Sequence, residues 1–446
     1  MNQQPVFNLW SEPWITVERP SARLDTLSIE EALTQADVIH ALYDPSPLAV
    51  TAVHRLLTAI LQEVYAPRRL ADLAQIWRDG RFLPDKIAAF GSQYASRFDL
   101  FAQDAPFLQT ADLGLQPAKS DKPKPAAYLF QEQPAGTAVT HYTHAYDENQ
   151  LFCAACAAKG LLLGPPFASS GGAGIKPSIN GVPPIYVLPG GDNLFQSLAA
   201  SITTPKYQPK AADEEDLPWW KRPSPTIIGK KEELYSVGYL RSLTFPARRV
   251  RLHPIPMSTP CTRCGEKTDW GARTMVYEMG ESRPKDAPWW RDPFAAYRPP
   301  KKDGAQPLPI RPVENRAIWR EFTGLFLPSR KSEEGRGDYR PTVLIQLEAV
   351  WRRDETALPF TRTRVPVRLI GLRTDMKMKI FEWEETGFDI APRLLADEEM
   401  AGYIQQGLDF AASIDGTIKA VFNSHFGGGG KSSRYGALRR EMSSFY

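Results

Sequence analysis

Four cysteines are the whole thiol content of this 446-residue chain, and they fall as two pairs, Cys153-Ala154-Ala155-Cys156 and Cys261-Thr262-Arg263-Cys264. A C-x-x-C pair offers two metal ligands from one tight turn, and two such pairs make a tetrahedral thiolate site suited to Zn2+. Four cysteine ligands leave no coordination position open. The Zn2+ expected at Cys153, Cys156, Cys261 and Cys264 is therefore structural, not catalytic. The competing readings are unrelated free thiols or one redox pair. A redox pair sits at a helix start in a thioredoxin-like βαβ unit, and no such pattern surrounds either pair.

Soon after the first pair comes a glycine-rich run, Ser169-Ser170-Gly171-Gly172-Ala173-Gly174, followed by Lys176. Glycine lets a backbone approach a ligand closely or adopt positive φ. Such a loop could cradle a phosphate, lie in a DNA minor groove, or simply be a flexible turn; Lys176 leans it toward a polyanion. A basic run follows much later: Arg352, Arg353, Arg362, Arg364, Arg368, Arg373, Lys377 and Lys379, against only Asp354, Glu355 and Asp375. On an extended segment Arg362 and Arg364 share a side. That face suits a phosphate backbone, or equally a solvated strand.

His425-Phe426-Gly427-Gly428-Gly429-Gly430-Lys431-Ser432 approaches the phosphate-binding pattern G-x-x-x-x-G-K-[ST]. His425 replaces the first glycine, and a helical pattern precedes it where a strand is needed. A nucleotide-binding enzyme using the Lys431 loop is one rival reading; a zinc-braced scaffold protein is another. His141 and His144 lie in a polar stretch with no carboxylate fixed beside them. No zinc-protease or serine-elbow motif occurs, so the sequence makes no case for catalysis.

These residues need elements to hold them. Phe7 to Trp10 and Trp14 to Val17 read as short strands, and Leu27 to Leu33 as a serine-capped helix. Ser46-Pro47 starts a strong helix to Tyr65, with Val50, Val53, Leu57, Ile60, Leu61 and Val64 on one face. Residues 151–163 read as helical, 184–188 as a strand, 193–202 as a helix, and 250–252 as a strand leading to the second cysteine pair. Ala317 to Leu325 reads as a short helix. Thr342 to Trp351 reads as a strand, from the alternation of Val343, Ile345, Leu347 and Ala349. Val365 to Gly371 reads as an edge strand because it contains Pro366. From Leu394 to Phe422 the pattern is helical.

A hydrophobic content of 42% and a charged content of 24% fit a soluble globular chain. The length favours two or three domains. The 40 prolines point to long irregular connections, not to a helical bundle. No apolar run reaches the roughly 18–20 residues of a membrane span, and the N-terminus lacks a signal-peptide pattern. A cytoplasmic protein with no membrane partner is expected. The net charge of +3 neither demands nor excludes nucleic acid.

Taken in order, several segments resemble one family. They are Asn8-Leu9-Trp10 with Trp14-Ile15-x-Val17, Phe98-Asp99-Leu100-Phe101 with Pro106-Phe107-Leu108-Gln109, Cys153-x-x-Cys156, and the glycine run. Gly181-x-Pro183, Cys261-x-x-Cys264-Gly265 and Gly371-Leu372-Arg373-Thr374-Asp375 follow. This order resembles the large subunit of the type I-E CRISPR Cascade complex, the CasA family, over roughly residues 7–390. The resemblance implies a non-enzymatic subunit of an RNA-guided surveillance complex. Such a subunit recognises the protospacer-adjacent motif on double-stranded DNA, opens the duplex for guide CRISPR RNA, and helps recruit a helicase-nuclease. Its implied partners are the other Cascade subunits, the guide RNA and the target DNA.

The resemblance also implies site residues. The DNA-reading loop matches Gly171, Gly172, Ala173 and Gly174. The duplex-splitting wedge matches Arg373, Thr374, Asp375, Met376 and Lys377, with Met376 where the family commonly has glutamine. The groove-reading lysine is placed at Arg283 or Lys285. The implied fold is α+β: a large mixed domain over residues 1–390 with the four-cysteine site, then a helical segment over 391–446. About 50 residues after Leu395 are too few for the family's four-helix bundle. The expectation is a truncated or compact variant, or one whose bundle role belongs to another subunit.

Overall fold

The computed structural model describes residues 4–113, 123–130, 132, 149–170, 175–212, 216–222, 233–300, 302, 304–313, 318–327, 339–354, 364–375, 380–392, 394 and 397–426. Its helices are α1 (Ile29–Thr34), α2 (Pro47–Tyr65), α3 (Leu70–Asp79), α4 (Pro84–Tyr94), α5 (Ala154–Leu162), α6 (Gly164–Phe167), α7 (Leu194–Ser201), α8 (Tyr239–Leu243), α9 (Phe322–Phe326), α10 (Thr342–Trp351) and α11 (Glu398–Phe426). The strands are β1 (Ile15–Glu18), β2 (Leu24–Leu27), β3 (Ala41–Leu42), β4 (Lys124–Pro125), β5 (Phe152–Cys153), β6 (Tyr186–Pro189), β7 (Arg248–Pro256), β8 (Trp270–Met279), β9 (Tyr297–Arg298), β10 (Leu308–Pro309), β11 (Val365–Thr374) and β12 (Ile380–Ile390). The architecture is mixed α+β. Among the described residues no helix is long and apolar enough to cross a membrane.

Helix α2 runs through the centre. Pro47 supplies a preset φ in its first turn, and Ala66 ends it in the left-handed region at φ +38°. Every residue from Pro47 to Gln62 is buried. A helix buried on all sides is a core helix rather than a surface one. Its one internal charge, Arg55, is met by Asp292 in a bidentate pair, Nη1 to Oδ1 at 3.2 Å and Nη2 to Oδ2 at 3.0 Å. The guanidinium also lies over the rings of Tyr186 and Phe294, at 5.0 and 5.3 Å. Asp292 accepts further bonds from the Asn180 side chain at 2.9 Å and from the Phe294 N–H at 2.9 Å.

His54 precedes Arg55 and sits fully inside, its Nε2 2.8 Å from the Ser201 hydroxyl. Burial, aided by the charges of Arg368 and Arg55, lowers its pKa from 6.5 to about 3. Between pH 6.5 and about 3 the unfolded chain therefore binds a proton here that the folded chain does not. Stability from this group is present above pH 6.5 and is lost as pH falls through that window. Asp216, pushed by burial from 3.8 up to about 6, acts oppositely: its contribution is lost as pH rises between those values. Urea unfolding of His54→Gln is expected to show a shallower loss of stability from pH 6.5 downward than the parent. Equal slopes would show that His54 is not the source of the acid sensitivity.

Among the described residues the strands form four sheets, the smallest being the antiparallel pair β9–β10. The first has order β2-β1-β3 and the second β12-β11-β6, all pairs antiparallel. In the third, β7 pairs along the whole of β8, while β4 and β5 meet β8 in successive short stretches. A strand has two edges, so β4 and β5 share the edge that β7 leaves open. Most buried apolar residues form one contiguous cluster. A small second cluster gathers Ala168, Ile179, Val237, Phe245, Ala247 and Trp290.

Most expected elements appear where the pattern placed them. Ser28 caps α1 in a full capping box with Glu31. Three expectations are corrected. Residues 342–351 form α10, not a strand. Val343, Leu344, Leu347 and Val350 are the buried set, which is a helical spacing, and the buried Gln346 donates to the Ile202 carbonyl at 2.8 Å. β11 is the central strand of its sheet, not an edge. The ladder with β6 begins at Val367, one residue past Pro366, and the Pro366 carbonyl still accepts from Gly190 at 2.7 Å. Residues 7–10 are no strand: the Asn8 side chain takes the Trp10 N–H at 2.9 Å and turns the chain.

Candidate metal centre and nucleic-acid interface

The β7–β8 hairpin explains how the two cysteine pairs meet. Cys261 and Cys264 lie in the connection between these strands, and β5 sets Cys153 opposite Gly271 at the start of β8. This strand crossing needs glycine, because a Cβ at Gly271 would stand 2.5 Å from the Phe152 carbonyl oxygen. Cys153 is also the N-cap of α5, its sulfur accepting from the Cys156 N–H at 3.4 Å. The second turn closes with Gly265 N–H donating to Cys261 O at 2.9 Å, and Gly265 takes φ +80°. Reciprocal bonds lock the two turns together: Thr262 N–H to Leu151 O at 2.8 Å, and Leu151 N–H to the Thr262 hydroxyl at 2.9 Å.

The four sulfurs lie within 4.8 Å of one another, with Cys153 and Cys264 3.6 Å apart. Zn–S bonds of about 2.3 Å at tetrahedral angles place sulfurs roughly 3.8 Å apart, so the cluster could hold such an ion. Without a cation the thiols share protons. Bonds from Cys153, Cys261 and Cys264 push the Cys156 thiol up, while those from Cys153 and Cys156 draw Cys264 down to about 7. A divalent cation substitutes for those protons and lets all four act as thiolates.

Charges beside the cluster complete it. Arg263, inside the second pair, donates to Asp44 at 2.6 and 3.2 Å, and Lys159 on α5 donates to the same carboxylate at 2.9 Å. Burial alone would raise Asp44, but Arg263 and Lys159 hold it below the usual carboxylate range. Two cations thus stand near a site that would carry net negative charge when loaded.

Of the residues expected to meet DNA, Gly171, Gly172, Ala173, Gly174, Arg362, Met376 and Lys377 lie outside the described residues, as do His141, His144, Lys431 and Ser432. The chain is helical through Phe426, so helix and not strand precedes the Lys431 run. The shoulders of the glycine run are well defined. Ser178 N–H donates to Ala168 O at 2.7 Å, and the second apolar cluster lies beneath, with Ala168 and Ile179 in it. Lys176 forms an ion pair with Glu233. Glu233 bridges to Ser282, so Lys176 and Arg283 belong to one neighbourhood. Arg283 donates to the carbonyls of Pro288 and Tyr235, and burial lowers its pKa. Lys285 is exposed.

The basic run is not one surface. Arg352 ends α10 and bonds Glu348, whereas Arg364 and Arg373 stand at opposite ends of β11, about 30 Å apart at a strand's rise. Arg364, Arg368 and Arg373 each pair across the ladder with an acid of β12: Asp389, Glu385 and Glu382. Much of that positive charge is therefore neutralised within the sheet. Thr374 and Asp375 lie where β11 leaves the sheet toward β12, and Arg373 also covers the Phe381 ring at 4.6 Å. Sequence reasoning missed Arg248, Glu233 and the Arg55–Asp292 pair. No sequence signal marked the first: β7 begins Arg248-Arg249-Val250-Arg251, and nothing local singles out the one arginine that turns to buried carbonyls.

Comparison with known proteins defines the class first: the chain matches a family of CRISPR-associated proteins. The family model described as CRISPR-associated protein Cse1 matches residues 8–446, and the chain belongs to the Cse1 family. A CRISPR-associated protein CasA/Cse1 from Thermus thermophilus is 34% identical over 331 residues, covering 72% of this chain and 60% of that relative's length. The crystal structure of a Thermus thermophilus CasA superposes with a TM-score of 0.74 at 27% identity, over 99% of this chain and 84% of that one. A chain in a structure described as a CRISPR RNA-guided surveillance complex shares the fold, with a TM-score of 0.73 at 20% identity over 95% and 85%.

Proposed function

We propose that this protein is the large subunit of an RNA-guided CRISPR surveillance complex. In this reading it recognises the protospacer-adjacent motif on double-stranded DNA, helps open the duplex for guide RNA pairing, and helps recruit a helicase-nuclease. It acts by binding, not by catalysis. Its partners are the other complex subunits, guide RNA and target DNA. The single observation that carries the reading is family membership over nearly the whole sequence.

The parts take the following roles. Cys153, Cys156, Cys261 and Cys264 hold a structural Zn2+. Gly171 to Gly174 present slim backbone to the minor groove, whose degenerate pattern suits relaxed motif reading. Lys176, Arg283 and Lys285 line the same approach, and Arg362 and Arg364 offer further phosphate contacts. The turn from Arg373, Thr374 and Asp375 through Met376 and Lys377 is the wedge. Separating a base step costs a few kcal/mol, offset as guide RNA pairs with the target strand. Residues 1–390 form the recognition domain. α11 opens the helical part over 391–446, which corresponds to the start of the family's four-helix bundle.

The test is reconstitution with the other subunits and a guide RNA, then binding to target duplexes with varied flanking base pairs. Gly172→Asp is expected to weaken binding of motif-bearing duplexes at least tenfold by placing a carboxylate against phosphates, while assembly survives. Met376→Ala is expected to impair strand opening, read by permanganate footprinting, more than initial binding. Wild-type binding and opening by both variants would refute these site assignments. Failure to associate with any complex subunit would refute the functional reading.

A further inference from the structure

Arg248 lies on β7 with only 8% of its surface exposed. Its Nη1 donates to the Lys176 carbonyl at 2.6 Å and to the Ala247 carbonyl at 2.7 Å. Its Nη2 donates to the Ser169 carbonyl. Its Nε donates to the Tyr277 hydroxyl at 2.8 Å, and the guanidinium lies 5.9 Å from that ring. Ser169 and Lys176 are the two shoulders of the glycine run, one on each side of residues 171–174. No described carboxylate pairs with Arg248. A buried cation is spent on neutral acceptors, two of which frame one loop. For stability alone such a charge is a poor choice, because desolvating it costs several kcal/mol and a carboxylate or an apolar side chain would serve better. Its particular capability is the planar fork, which holds two acceptors at a fixed spacing.

We propose that Arg248 is a positioning residue for DNA-motif reading: its guanidinium clamps the Ser169 and Lys176 carbonyls and so fixes the spacing and direction in which the chain enters and leaves residues 171–174. Glycine-rich chain has many conformations to lose on binding, and a fixed pair of ends reduces that loss. Tyr277 is the second member of the device, since its hydroxyl orients the fork. The proposal rests on the reading that residues 171–174 meet DNA.

The experiment uses the complete complex with a chosen guide RNA and a target duplex library randomised beside the guide match. Arg248→Lys keeps the charge but offers a single point donor that cannot span both carbonyls. It is expected to assemble and to bind unrelated duplex as the parent does. Its discrimination between the best and the average flanking sequence should fall roughly tenfold, which is about 1.4 kcal/mol. Tyr277→Phe, which leaves the fork in place but unsteered, is expected to move the same ratio in the same direction by less. A merely structural role would lower the melting temperature without moving that ratio.

Parent-like discrimination by Arg248→Lys overturns the proposal. Should that variant fail to assemble, parent-like discrimination by Tyr277→Phe does so instead. Gly172→Asp separates the two levels. If it loses discrimination and the Arg248 variant does not, the clamp is wrong and the loop reading stands. If it retains discrimination, the loop reading falls and the clamp falls with it.

Discussion

Stripping the metal is expected to lower the melting temperature by roughly 5–10 °C and to abolish motif-dependent DNA binding. Elemental analysis of the purified protein should find one zinc per chain. The four sulfurs are gathered within 4.8 Å, three of them buried, in a protein that provides no disulfide between them. Structural zinc supplies about 10–16 kcal/mol in small peptides, where it is the whole core. Here a large apolar core stands without it, so only part of that figure should appear. For a chain this long, each kcal/mol shifts the melting temperature by about 1 °C. Cys156→Ser tests the same point without a chelator. It removes a buried ligand and should lower both the metal content and the melting temperature, more than Cys264→Ser at the exposed position. A metal-free protein that melts and binds like the loaded one would show that the cysteines are not a brace.

The second large effect is expected at the centre of the core. Arg55→Met should cost about 3–5 kcal/mol, because it leaves the Asp292 carboxylate buried with no counter-charge. The pair is almost wholly removed from solvent, with 2% and 0% of the two side chains exposed. The double variant Arg55→Met with Asp292→Asn should recover at least half of that loss. Methionine fills the apolar space between Tyr186 and Phe294, and the amide oxygen can still accept from Phe294 N–H. Urea unfolding of the parent, both singles and the double gives the coupling directly. Additive losses would show that the two residues do not act as a pair. A loss below about 1 kcal/mol for Arg55→Met would show that water or rearrangement relieves the carboxylate. Asp292 also holds Asn180, so the single variants should loosen the segment that follows the glycine run.

What the sequence made legible was chiefly what is local. Ser28 and Pro47 announce helix starts, because a cap and a preset φ act within one turn, whereas Ser46 holds the N-cap position of α2 without a side-chain capping bond. The C-x-x-C pairs announce a four-sulfur cluster that could hold a metal, because ligand spacing is itself local chemistry. The strand expected at 342–351 failed because the half-buried Ile345 and Ala349 are also apolar, so Val343, Ile345, Leu347 and Ala349 alternate along a helix whose buried face is Val343, Leu344, Leu347 and Val350. Only the tertiary partner of Gln346, the Ile202 carbonyl, tells them apart. The edge assigned to β11 failed because one proline constrains one position, and here the neighbouring strand simply starts a residue later. The basic run looked like a DNA track because cations are counted along the chain. Their partners, Glu382, Glu385 and Asp389, are also close in sequence, but only the hairpin register sets them opposite. Arg248 was invisible as a site because its partners are backbone carbonyls, which every sequence has everywhere.

The reach of the metal site along the chain sets an order of events during synthesis. Between Cys156 and Cys261 lie 104 residues. At about 5–20 residues per second, the first thiol pair leaves the ribosome roughly 5–20 s before the second. Through that interval it is an incomplete chelator: it can bind an ion by two sulfurs, or be oxidised to a disulfide that shuts the ion out. The β7–β8 hairpin must then form before the remaining sulfurs arrive. If the four sulfurs hold zinc as proposed, maturation becomes a race between hairpin formation and oxidation of a waiting dithiol, and the yield of loaded protein would depend on the redox poise and free zinc of the cell that makes it.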